Sequence, residues 1–358
     1  MKIASRFLLA IPLLILSGCW RMQDTTPQLN INYPAAYVVN GESNSVSIID
    51  LTTQQLKETI SLGEASMGGH SMGGMTDQIM WPHHIYLSPD ATRLSLGVPG
   101  TDLSGGHSGS MAGMKGRVVL LDSRTGKLLA NQETPAMNHN AAFSPDGTEL
   151  WTVEMDEAGK ALVYDATTLS LKQSIPVGEE PAEVTFSSNG QYAFVANGHS
   201  NSITVIRVAT KTVVKTIPVG EDPVGAWPGA DGKMYVDNEK GQSISIIDVS
   251  TLAVTETISL GFIPGYAAFN PVLNELWVSQ AASGNKVVVF HRMNDVWMKA
   301  GEIVTGLDAH AIAFTKDGSL AYVTNQGAGS VSIINTKTRS RIKDIVVGKK
   351  PNGIVLKN

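Results

Sequence analysis

The chain has 358 residues, 42% of them hydrophobic and 16% charged, with 27 Lys and Arg against 32 Asp and Glu. That balance leaves no basic stripe to neutralise phosphates and argues against a nucleic-acid partner. The single cysteine, Cys19, excludes an internal disulfide, so stability has to come from a packed core.

Lys2 and Arg6 precede the apolar run Phe7 to Leu16, and small residues follow. This is the layout of a secretory signal, and the run is short for a bilayer span. Leu16-Ser17-Gly18-Cys19 resembles a bacterial lipobox, which implies cleavage after residue 18 and a lipid on Cys19. Residue 20 is Trp rather than Asp, which in the enterobacterial sorting pattern favours the outer membrane. The expected product is a lipid-anchored protein on the periplasmic face of a bacterial membrane. Loss of residues 1–18 leaves 25 cations against 32 anions. Residues 19–34 read as a linker.

From residue 35 onward the sequence repeats. AYVVNGESNSVSIIDLTTQQLKETISLG (Ala36 to Gly63) returns as AFVANGHSNSITVIRVATKTVVKTIPVG (Ala193 to Gly220) and as AYVTNQGAGSVSIINTKTRSRIKDIVVG (Ala321 to Gly348). Each unit closes on an apolar residue and a glycine, at Gly63, Gly178, Gly220, Gly261, Gly306 and Gly348. The last five are spaced by 42, 41, 45 and 42 residues. Short Val/Ile/Tyr runs alternate with Pro-Asp-Gly and Asn-Gly turns and show no helical period, so each unit predicts four antiparallel strands. Four-stranded repeats of this length are propeller blades.

Tyr322-Val323-Thr324-Asn325 is the tetrapeptide that names the YVTN-repeat propellers, and the chain after residue 34 resembles that family. Innermost strands are expected to begin at Pro82, Asn138, Pro181, Pro223, Pro264 and Ala309, giving six blades. A seventh is completed by Lys349 to Asn358 pairing with the N-terminal strands. The expected fold is therefore an all-β, seven-bladed propeller over residues 35–358.

One interval breaks the period. Gly63 to Gly178 spans 115 residues, about 31 more than two blades require. The excess falls at 64–81, between blades 1 and 2, and at 99–116, inside blade 2. The first insertion carries Met67, His70, Met72, Met75 and Met80, and the second carries His107, Met111 and Met114. The resemblance implies that both rise from one face of the ring. Methionine among glycines has no core to fill, and thioether with imidazole is the donor set that selects Cu(I).

Aligned on their turns, WPHHIYLSPD, MNHNAAFSPD and LDAHAIAFTKD place His83, His139 and His310 in one column at the start of the innermost strand. The other blades offer Asn352, Ala182, Val224 and Gly265 there. Strand alternation should turn His84 elsewhere, although at a strand's first residue either His83 or His84 could face the axis. Three converging imidazoles with an open position make a metal site, and copper suits both this site and the loops. The expected role is copper handling or a copper-dependent oxidation, with Cu(I) captured by the loops and a periplasmic copper donor or acceptor protein as partner.

Two other readings follow from the resemblance. Cytochrome d1-like propellers imply a haem d1 on this face, and many YVTN propellers imply a metal-free interaction scaffold. The propeller of nitrous oxide reductase is similar in plan, but the histidines here are too few for its copper cluster. No phosphate-binding glycine loop that follows a strand and opens a helix is present.

Overall fold

The computed structural model of the chain describes residues 29–63, 78–104 and 113–358. The expected signal segment and Cys19 lie outside these residues. So do Met67, His70, Met72, Met75, His107 and Met111, whereas Met80 and Met114 are described and exposed.

Twenty-eight strands form seven four-stranded antiparallel sheets, with no helix among the described residues. The chain is a seven-bladed β-propeller. Blade 1 is built from both ends of the sequence, because Pro351–Lys357 pairs with Ala35–Asn40 as its innermost strand. That closure leaves no open edge at the seam between the termini.

Position in the blade decides the sequence pattern. In blade 1 the second and third strands, Ala35–Asn40 and Ser45–Asp50, are buried on both faces because neighbouring sheets cover them. They accordingly read AAYVVN and SVSIID. The outermost strand, Gln55–Ser61, faces solvent and reads QLKETIS. Apolar side chains from adjacent sheets interdigitate around the ring. Phe194, Ile203 and Val205 of blade 4 pack with Ala226, Met234 and Ile247 of blade 5. Ala36, Val38 and Ile49 of blade 1 pack with Tyr322, Val331 and Ile333 of blade 7.

The two repeat signatures, a terminal glycine and a strand-end asparagine, are halves of one clasp. Asn238 ends the second strand of blade 5, and its Nδ2 donates to Ser243 O at 3.2 Å and Ser245 Oγ at 3.0 Å. Gly220, at the end of blade 4, lies so close that a Cβ there would sit 2.6 Å from Asn238 Cγ. Gly178 on Asn197, Gly306 on Asn325 and Gly348 on Asn40 repeat the contact at 2.6 to 2.7 Å. Four of the seven joints are fastened this way. In blades 2, 3 and 6 the position of the asparagine holds Val98, Glu154 and Gln280. Nothing lies within 4 Å of a Cβ at Gly63, which precedes blade 2.

The long connections lie where the repeat broke. The chain runs from Ser61 to Ile85 between blades 1 and 2, and from Val98 to Arg117 inside blade 2. The corresponding connection inside blade 1 is the four residues 41–44. Trp81 N donates to Asn44 Oδ1 at 2.8 Å and Gly41 N to Lys350 O at 2.8 Å. Inter-blade connections and second-to-third-strand turns therefore share one face.

The innermost strands of two blades begin later than their sequence suggests. Blade 2 starts at Ile85 rather than Pro82, and blade 3 at Ala142 rather than Asn138. In blades 4 to 7 the same stretch is strand, but its register shifts within the first residues, as between Pro181 and Val184 or Ala309 and Ile312. A bulge there is a general feature of these blades, and in blades 2 and 3 it opens into non-strand backbone.

Gly220→Ala should lower stability by about 2 kcal/mol through overpacking of the clasp. Gly63→Ala should be nearly neutral; urea denaturation of both variants checks the contrast.

Candidate metal centre

The non-strand segments of blades 2 and 3 carry the histidines to the axis. His83 N donates to Gly97 O at 2.9 Å and Gly97 N to His84 O at 3.2 Å, while Gly353 N of blade 1 donates to His83 O at 3.1 Å. The backbone approaches are close. A Cβ on Gly97 would fall 2.5 Å from Asn140 Cα, and one on Gly353 would fall 2.9 Å from His84 Cα. Glycine at these two positions lets three neighbouring blades bring their inner segments together.

His83, His84 and His139 are 3%, 4% and 3% exposed, and they offer ligand atoms that all lie within 4.8 Å of one another. Ring centroids are 4.0 Å apart for His83 and His139, 4.7 Å for His83 and His84, and 5.1 Å for His84 and His139. This trio differs by one member from the one that the sequence column predicts. His310 stands 5.7 Å from both His83 and His84, ring to ring, and falls outside the tight group. His83 and His84, between which alternation left the choice open, both fall inside it. Alternation applies to pleated strand, and His83 and His84 precede the first strand residue, Ile85.

A residue that the sequence reading missed holds the trio in place. Glu183, 1% exposed, sits one position after the column in blade 4. Its Oε1 accepts from His139 Nδ1 at 2.8 Å and pairs with His84 Nε2 at 2.9 Å, the second being a charge contact with poor hydrogen-bond alignment. Its Oε2 accepts from Tyr86 Oη at 3.3 Å and Asn140 Nδ2 at 3.4 Å. Burial pushes the carboxyl up, but the charge of His84 and the bond from His139 prevail and hold it well below the usual range. Burial, then the negative field of Glu183, keeps the Tyr86 phenol protonated. Desolvation lowers His139, and lowers His310 to about 3, so these two imidazoles are in the neutral form that metals bind. The available signal was a second column in the same alignment, His84, Asn140 and Glu183, polar in three consecutive blades.

Below the histidines lies an aromatic layer. Trp227 and Tyr266 are 3.8 Å apart, and Trp227 is 5.8 Å from His84. Trp227 Nε1 donates to Asp237 Oδ1 at 2.9 Å. Above them is a cavity of about 420 Å³, with His83, His139 and His310 on its floor. Glu239, Asp308 and Lys350 stand on its wall, as do Leu103 and Ser104 from the stem of the second insertion. Lys350 Nζ donates to Ser104 Oγ at 2.8 Å. Met137 and Met155 pack with Leu103 in an apolar cluster and serve as core. His199 is exposed and pairs with Glu180 at 3.4 Å.

Other propellers share this architecture. A putative 6-phosphogluconolactonase from Bacteroides fragilis superposes with a TM-score of 0.69 at 16% identity, over 91% of this chain and 99% of that one. Hydrazine synthase from Kuenenia stuttgartiensis gives 0.64 at 17% identity, over 80% and 92%. The dihydro-heme d1 dehydrogenase NirN gives 0.60 at 16%, over 90% and 74%. These likenesses establish the fold. No protein-family profile and no curated protein matches the sequence.

Glu183→Ala should destabilise the protein by about 3 kcal/mol, because it leaves buried imidazoles facing an uncompensated gap. Urea denaturation at neutral pH measures the loss. A second expectation concerns Glu239, whose carboxyl is pushed up to about 7, first by burial and then by Asp222. An acid raised in the folded state binds its proton more tightly there, so stability falls as pH climbs from about 4.5 to about 7. Glu239→Gln should remove roughly 1 kcal/mol of that slope, the group being only half-buried, as thermal melts across the window would report.

Proposed function

We propose that this propeller is a copper-binding protein that holds the metal on the imidazoles of His83, His84 and His139. The observation that carries the proposal is the burial of three imidazoles with ligand atoms within 4.8 Å. Nothing in blade packing asks for such a group. Behind it Glu183 fixes the ring of His139, the carboxylate–histidine support that metal sites commonly use. An interaction scaffold working through its surface gives no reason to bury three imidazoles and a carboxylate on the axis.

Imidazole alone suits copper, zinc, iron or nickel. The choice of copper comes from the methionine insertions, the second of which reaches the cavity through its described stem at Leu103 and Ser104. We read Met67, Met72, Met75 and Met111, with His70 and His107, as the Cu(I)-capturing part, with Met114 at its base. Soft thioethers would deliver Cu(I) to the imidazole site, for copper handling or a copper-dependent oxidation. The YVTN tetrapeptide and the lipobox place this activity, in our reading, in a lipid-anchored periplasmic member of the YVTN propellers, exchanging copper with a periplasmic partner.

A haem d1-type macrocycle is the weaker alternative. Its carboxylates would meet Glu239 and Asp308 on the cavity wall, with Lys350 the one Lys or Arg among the described lining residues.

Protein purified without added metal and then reconstituted with Cu(I) or Cu(II) should hold roughly one copper at the axial site by mass spectrometry. A clearly substoichiometric content after both treatments would overturn the reading, and an intense visible band on purification would favour haem. His83→Ala and His139→Ala should each abolish the Cu(II) electron-resonance signal. Combined replacement of Met72, Met75, Met111 and Met114 should weaken Cu(I) uptake and leave that signal intact.

A further inference from the structure

Four imidazoles reach the axis and the tight group uses three. His310 is the fourth. It is less buried than the others and lines the cavity beside His83 and His139. Its Nδ1 lies 3.4 Å from the backbone carbonyl of Asn352. A carbonyl only accepts, so Nδ1 carries the proton and Nε2 presents a lone pair. The ring has room because the neighbouring blade offers Gly265 in the same column, where a Cβ would come within 3.3 Å of His310 Cδ2.

We propose that the cavity is a binding pocket for a small protic molecule that takes the metal's open position and donates its N–H or O–H to His310 Nε2. This rests on the metal reading of the trio and makes His310 a ligand-positioning residue, not a metal ligand. The walls narrow the class further. Val224 and Ile263 supply an apolar side, and Glu239 and Asp308 face it with carboxyl groups. Lys350 donates to Ser104 Oγ and its charge acts on Asp308, so the two acids leave the wall without a surplus of positive charge. An anion would meet the two acids. An aprotic molecule would displace water from His310 and return no hydrogen bond, a net loss in a buried site. The pocket therefore suits a neutral amine, alcohol or N–H heterocycle, which keeps a lone pair for the metal.

Pyrazole and 1-methylpyrazole test this. Both coordinate through one nitrogen, and only pyrazole carries an N–H beside it. Copper(II)-loaded protein titrated with each, followed by visible absorption, should bind pyrazole about tenfold more tightly, the worth of one retained hydrogen bond. His310→Leu should keep its copper and bring the two affinities near parity. His310→Gln, whose amide oxygen accepts, should restore most of the preference. Loss of copper from both variants would make His310 a ligand and overturn the assignment. A preference unchanged in His310→Leu, or equal affinities in the wild type, would overturn the pocket alone. A wild-type protein that takes up no copper would overturn the metal reading and the pocket together.

Discussion

Seven sheets that close into a ring share one axis, and the innermost residues of seven strands compete for the narrow volume around it. The position after the histidine column shows how that competition is resolved. Going round from blade 1 it holds Gly353, His84, Asn140, Glu183, Gly225, Tyr266 and Ala311. Large side chains are admitted only because others are nearly absent. Gly353 lies against the backbone of His84, and a Cβ on Gly225 would strike the indole of Trp227 at 2.4 Å. Close packing at the axis thus allocates space to a few chosen groups, and those groups are polar and aromatic on adjoining blades.

Once polar groups occupy a dry axis, their hydrogen bonds must close among themselves. Glu183 performs that closure. One carboxylate meets two imidazoles through one oxygen and a phenol and an amide through the other. It spans blades 2, 3 and 4, so the same contacts that set the imidazoles also fasten three blades. This matters because the glycine–asparagine clasp is missing where blade 2 meets its neighbours. At the joints on either side of blade 2, the glycine–asparagine lock gives way to long insertions and to the histidine cluster. A joint freed from the clasp has room for chemistry, and the carboxylate supplies part of the cohesion given up.

The fold was legible because a repeat averages over local noise. Seven copies of one pattern fix strand number, blade number and closure, even though Pro82 and Asn138 mislead about where two strands begin. The site was half legible for the same reason. Aligning repeats found His83 and His139, since both occupy a column that the repeat defines. The method failed where the backbone leaves the repeat. Ahead of Ile85 the pleat is lost, so alternation could not choose between His83 and His84, and the column alone could not separate His310 from the tight group. A lone glutamate in PAEV resembles an edge residue, and beyond the second polar column it shares with His84 and Asn140 it is burial, at 1% exposure, that shows Glu183 to belong to the axis.

The placement of the two donor types follows from their chemistry. His83 and His84 are held by backbone bonds to Gly97 and His139 by Glu183, and burial favours the neutral form of the His139 ring. A site so constrained suits an ion with directional preferences, and it cannot easily open to release one. Thioethers carry no proton to lose and tolerate many geometries, which suits donors on insertions, one of which has its stem at the cavity wall. In the reading proposed here, exchange belongs to the loops and retention to the axis. The repeat architecture makes the division natural: insertions between strands leave the ring undisturbed, whereas a group on the axis must be accommodated by every blade around it.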